Sequence, residues 1–168
     1  MGSVTIRAVR PDQAAHDFDA LFRDHAGGVY RTLFAFTAGR RAVAEEATAE
    51  AFARALAHAD RIRDPVAWIY RAAFRIAVGE LKRERRAAPE TGPEAERRVD
   101  SGLGSLVDAL RHLSPNQRAA VVLRYEADLP VDEVARRMGI SAATVRVHLH
   151  RGRARLRELL GSEEIDDA

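Results

Sequence analysis

The chain has 168 residues, 46% hydrophobic and 31% charged, with no cysteine. That is enough for one or two small domains with a real core, and it excludes a disulfide framework, a thiolate zinc site and a cysteine nucleophile. No apolar run reaches the ~18 residues of a membrane span and the N-terminus has no charged-then-apolar pattern, so no membrane insertion and a cytoplasmic location are expected.

The net charge of +2 hides an uneven distribution. Lys82 is the only lysine; every other basic residue is arginine. Residues 61–86 carry eight basic and three acidic groups, and residues 111–157 carry ten and four. An acidic stretch separates the two blocks, and residues 158–168 carry five acids and no base. Two basic blocks suggest two contacts with a polyanion.

Residues 1–16 show no sustained period and are expected to form a flexible arm. From Asp17 the period is helical: Phe18, Phe22, Val29, Leu33 and Phe36 stack on one helix face. Gly27-Gly28 lies inside this helix at a cost of about 1 kcal/mol per glycine relative to alanine and leaves room for a local kink, and Gly39 suits its C-cap. Residues 42–58, rich in Ala, Glu, Phe and Leu, read as a second helix. Asp64-Pro65 starts a third, with Asp as N-cap and Pro at the first helical position. It carries Trp68, Ile69, Ala72, Ala73, Ile76 and Leu81 and ends in the basic run Lys82 to Arg86. Residues 87–104, with Pro89, Gly92, Pro93, Gly102 and Gly104, have the composition of a linker. Helical periodicity resumes at Leu106, Leu110 and Leu113, and Ser114-Pro115-Asn116-Gln117 is a capping box that starts a helix at Pro115. No segment alternates as a strand. The expected fold is all-α, in two small helical domains (17–86 and 105–160) joined by a flexible linker, with an acidic tail at 161–168.

Residues 131–150, VDEVARRMGISAATVRVHLH, have the steric recipe of a helix-turn-helix. Ala135 allows close helix approach, Gly139 takes the left-handed turn, and Val145 enters the shared core with Val134, Met138, Ile140 and Leu149. Ser141 is placed to N-cap the second helix, whose buried stripe is Val145, Leu149, Gly152 and Leu156. Between Ala142 and Arg157 there are five arginines and no acid, as expected of a DNA-recognition helix. His148 and His150 lie too far apart around a helix to bind one metal, so no metal site is expected. No phosphate loop, nucleophile–base pattern or paired catalytic carboxylate stands out, so neither a catalytic activity nor a cofactor is expected.

Beyond this motif, the segment from Leu106 to Leu159, with its Leu-Ser-Pro opening, LRY segment and TVRVHLHRGRARLR helix, resembles region 4 of the extracytoplasmic-function (ECF) group of the sigma-70 family. AEEATAEAFARAL (44–56) and PVAWIYRAAFRIAVGELKRERR (65–86) are similar to its region 2. The resemblance implies a promoter-specificity subunit of RNA polymerase with core RNA polymerase, promoter DNA and an anti-sigma factor as partners. It puts Glu46, Glu50 and Phe52 on the surface that docks on core polymerase. It puts Trp68, Arg71, Arg75, Lys82 and Arg83 where the −10 element is engaged, and Ser141, Thr144, Arg146, His148, Arg151 and Arg153 in the major groove at the −35 element. The chain departs from the usual family pattern at Ala49, Arg75 and Gly79 in region 2 and at Pro130 before the first motif helix.

Overall fold

In a computed structural model the described residues are 11–87 and 102–161, with side chains placed for 17–87 and 105–161. They form helices α1 (Pro11–Phe36), α2 (Arg41–Ala57), α3 (Pro65–Ala87), α4 (Gly102–Arg111), α5 (Pro115–Tyr125), α6 (Val131–Met138) and α7 (Ala142–Leu160), with a 3₁₀ turn at Ala59–Arg61. No strand occurs among the described residues. Two boundaries differ from the sequence pattern. α1 begins at Pro11, inside the expected arm, and α4 begins at Gly102, inside the expected linker. In neither segment does an apolar period announce the helix. The rest of the linker, 88–101, the arm residues 1–10 and the tail residues 162–168 lie outside the described residues.

The helix starts follow local chemistry. Asp64 Oδ1 accepts the Ala67 N–H at 3.1 Å, capping α3 ahead of Pro65. Ser114 Oγ accepts the Gln117 N–H at 3.3 Å, while Gln117 Oε1 accepts the Ser114 N–H at 3.2 Å, completing the capping box of α5. Pro130 precedes α6 without a side-chain cap, and Asp132 and Glu133 in the first turn complement the helix dipole instead.

α1, α2 and α3 pack into one half, with α2 lying along both of its neighbours, and α7 lies across α4, α5 and α6 in the other. Leu33, Phe36 and Ile69 are fully buried in the first half; Leu123, Val134 and Val145 are fully buried in the second. Burying each such side chain contributes about 1.5–3 kcal/mol. Phe22, placed by periodicity on the buried face of α1, is 47% exposed and meets Phe52 edge-on at 5.0 Å. Tyr70 and Phe74, which the sequence reading passed over, are buried, and Phe74 meets Phe36 edge-on at 4.9 Å.

The halves also pack on one another, α3 against α6 and α1 against α5, so their buried residues form one continuous core. The junction is polar at its edges. Thr32 Oγ1 donates to Glu126 Oε2 at 3.1 Å, Arg71 Nη1 donates to the Arg136 carbonyl at 2.9 Å, and Arg136 Nε lies 3.6 Å from Asp64 Oδ2. At its centre Arg118 of α5, only 5% exposed, donates to the carbonyls of Phe36 (3.1 Å), Arg111 (3.0 Å) and Leu113 (3.2 Å). The sequence places this residue in the second basic block; the structure turns it inward.

Candidate nucleic-acid interface

The helix-turn-helix consists of α6, the turn at Gly139 and α7. Gly139 has φ +70°, a conformation that strains any other residue, and a Cβ there would lie 2.8 Å from Arg71 Cδ and push that side chain aside. Ser141 Oγ accepts the Thr144 N–H at 3.1 Å and lies 2.8 Å from Thr144 Oγ1. Ser141→Ala removes this cap, and thermal unfolding should show a loss of about 1 kcal/mol.

The buried stripe of α7 is Val145, Leu149, Gly152 and Leu156, as its spacing predicts. Of the −35 candidates, Ser141, Thr144, Arg146 and Arg151 are exposed, while His148 and Arg153 are half-buried. Arg153 Nη1 donates to the Tyr125 hydroxyl at 3.4 Å, which ties it to the end of α5. Arg146, Arg151 and Arg157 have no hydrogen bond or ion pair among the described residues, so three cations stand free on the outer surface of this helix. Val147, outside the candidate set, is 46% exposed beside them. Its place opposite the buried stripe is readable from helical spacing alone.

The −10 candidates all lie on α3 but not in one state. Trp68 is half-buried and packs against the core, Arg71 is half-buried and bonded to the Arg136 carbonyl, and Arg83 is paired with Glu80. Arg75 and Lys82 are exposed and have no hydrogen bond or ion pair among the described residues. Arg71 and Arg75 line a cleft of about 300 Å³ between the halves, with Arg137 opposite and Phe36 and Phe74 on its floor. Arg137 is held by Glu133 at 3.0 Å, and its guanidinium lies over the Tyr70 ring at 4.4 Å. Burial opposes ionisation of Glu133, but hydrogen bonds from Arg137 and Arg136 outweigh it and hold the carboxyl below its ordinary range.

Of the residues expected to face core polymerase, Glu46 is exposed, and Glu50 is half-buried and accepts from Arg54 at 2.6 Å. Phe52 is a correction. It is 2% exposed, beneath Phe18 and Phe22, because its position on α2 faces α1; it backs the surface and cannot form it. Glu46 and Glu50 share an open groove of about 530 Å³ with Arg75, Gly79 and Arg83 of α3. The family resemblance implies different partners for the two walls of this groove, core polymerase for α2 and the −10 element for α3.

Residues 103–156, spanning most of α4 to α7, match the family model for sigma-70, region 4. Across 99% of its length the chain is 31% identical, over 182 aligned residues, to the ECF RNA polymerase sigma factor SigE of Mycolicibacterium smegmatis, covering 70% of that protein. The chain belongs to the ECF group of sigma-70 RNA polymerase sigma factors. A second relative of this sigma factor, SigM of Mycobacterium tuberculosis, is 32% identical over 152 residues, covering 86% of this chain and 77% of the relative. The fold is shared with the sigma factor RpoE bound to the anti-sigma factor NepR from Bartonella quintana, at TM-score 0.67 and 19% identity over 88% of this chain and 99% of that one. It is shared equally with CnrH bound to the cytosolic domain of CnrY, at TM-score 0.67 and 21% identity over 91% and 96% of the two chains. In this sigma factor region 4 is thus the half that carries the free arginines of α7.

No helix among the described residues is long and apolar enough to cross a membrane. No group of three or more metal-ligating side chains occurs among them.

Proposed function

We propose that this sigma factor binds core RNA polymerase and directs it to promoters through two separately read elements, acting in the cytoplasm as a transcription initiation factor without catalysis of its own. Residues 105–160 read the −35 element with α7 in the major groove. Residues 17–86 carry the polymerase-docking surface around Glu46 and Glu50 and the −10 surface of α3. The observation that carries this reading is the outer face of α7, where Arg146, Arg151 and Arg157 stand unpaired on a capped helix seated by a glycine turn. An arginine so placed can pair two-pronged with guanine or hold a phosphate. On α3, Arg75 and Lys82 are ready for phosphates, and Trp68 is half-exposed beside them, an aromatic side chain of the kind on which unstacked bases pack. Arg71 uses one of its donors on the Arg136 carbonyl and keeps the others for a phosphate or base. An anti-sigma factor is the third partner, supported by the two solved relatives of the same fold, each bound to its own protein partner.

Co-purification with core polymerase, followed by transcription from random promoter fragments, tests this reading. Stable binding and new start sites sharing two upstream elements are expected. Binding without initiation would leave an interaction protein, and no binding would favour a free-standing regulator. Arg146→Ala should weaken −35 binding by about 1–3 kcal/mol if the arginine pairs with guanine, relaxing selectivity at one base pair. An equal loss on all sequences would mark it as a phosphate contact.

A further inference from the structure

We propose that Val147 reads a thymine methyl group in the −35 element, an inference that rests on the assignment of α7 as the recognition helix. Side chains advance by about 100° per residue around a helix. With Val145, Leu149, Gly152 and Leu156 buried on one side of α7, the opposite pole runs through Ala143, Val147 and Ala154. Over the first two turns of α7 the line that points away from the core is apolar at Ala143 and Val147, with the free cations Arg146 and Arg151 to either side and His150 on the flank opposite Arg151. The acid Glu158 reaches this line only at the C-terminal end of the helix. Here a branched aliphatic side chain is left 46% exposed.

The neighbours bear on what covers it when α7 is engaged. A protein partner docking on apolar surface would meet two free guanidinium groups at the rim of a patch one valine wide. The phosphates lining a DNA groove are complementary to both cations. Between those phosphates the major-groove floor offers one apolar group, the C5-methyl of thymine. The alanines on either side of Val147 are short enough to let the helix axis approach the base edges. Val147 thus supplies base selectivity by contact and desolvation, while the arginines supply position and hydrogen bonds.

The test uses the full chain with core polymerase on a promoter obtained by selection from a library randomised at the −35 element. Each thymine of that element is replaced in turn by deoxyuridine, which removes the methyl group and nothing else. With the native protein, one replacement should weaken binding about fourfold, the worth of one buried methyl-sized group. Val147→Ala should bind the thymine promoter correspondingly less well and lose the distinction between thymine and deoxyuridine at that position. Thermal unfolding of Val147→Ala should match the native protein, because the side chain removed is exposed. A −35 preference that persists with no deoxyuridine effect at any position overturns the proposal. So does a deoxyuridine penalty of the same size in Val147→Ala. Both results leave α7 as the recognition helix. Loss of all sequence preference upstream, in the native protein itself, would overturn that assignment as well.

Discussion

Gly152→Val should destabilise the protein by about 3 kcal/mol, the upper end of the usual overpacking range. For a chain of this size that lowers the melting temperature by about 6–12 °C. The reason lies where α7 crosses α5. A Cβ on Gly152 would sit 2.9 Å from Val121 Cγ2 and 3.7 Å from both Gln117 Cβ and the Gln117 carbonyl oxygen. Val121 is itself buried, beside the fully buried Leu123. Neither side of the crossing can yield without disturbing the core of the C-terminal half. The alanine variant provides the scale: its Cβ already makes the 2.9 Å contact with Val121, so Gly152→Ala should also destabilise, by less than valine because about 1 kcal/mol of helix propensity is regained. Valine adds two methyl groups at the same crossing and regains less propensity. Because the crossing sets the tilt of α7, −35 binding should fall with stability in the valine variant. A valine variant with native melting temperature and native −35 binding would show that α7 is not held against α5 at this point.

Arg118→Met should cost about 3 kcal/mol and loosen the attachment of the two halves. Methionine keeps the apolar stem, ends two atoms short of the terminal guanidinium nitrogens, and removes all the donors that reach the Phe36, Arg111 and Leu113 carbonyls. These oxygens lie in or just beyond the last turns of α1 and α4, where helical N–H partners run out. A buried acceptor left without a donor costs about 1–3 kcal/mol, and part of that is recovered because a buried cation is removed with its own desolvation penalty. Burial, with the charges of Arg85, Arg111 and Arg40 adding to it, pulls the Arg118 guanidinium down to about 10, which still leaves it cationic at neutral pH. The Phe36 ring, whose centroid is 5.4 Å from the guanidinium carbon, would lose its cation as well. Denaturant unfolding should report the lost stability, and small-angle scattering a larger radius of gyration. Arg118→Lys keeps a charge without the planar fork that spans three acceptors, so it should fall between the two. An unchanged radius in Arg118→Met would show that the remaining contacts hold the halves together without this hub.

Much of this architecture is legible in the sequence because its signals span four residues or fewer. Asp64-Pro65, Ser114 to Gln117 and Ser141 each cap the helix they announce, and Gly139 sits at the turn that demands it. The buried stripe of α7 follows from spacing alone. What the pattern does not reveal is the contact between the halves. Arg71 with Arg136, Arg118 with Phe36 and Thr32 with Glu126 are separated by 65, 82 and 94 residues, and no local periodicity encodes such a meeting. The same blindness explains the misplaced side chains. Phe52 resembles a surface aromatic until α1 covers it, and Arg118 resembles one more cation for a polyanion until the carbonyl ends of two other helices converge on it. Family likeness places Arg71 on DNA, whereas its partner in this structure is a backbone oxygen of the other half.

The acceptors around Arg118 have a consequence for how the molecule answers its medium. They are neutral carbonyl dipoles, with no carboxylate among them, so acid titrates none of them and dissolved ions screen this buried cluster little. The outer contacts differ, since Asp64 with Arg136 and Thr32 with Glu126 both rely on a carboxylate near solvent. Ionic strength, which governs how firmly an arginine-rich helix holds phosphates, therefore acts on the rim of the joint and on the reading surfaces while the hub keeps its ligands. The molecule can be weakened as a reader of DNA by salt that leaves its frame latched.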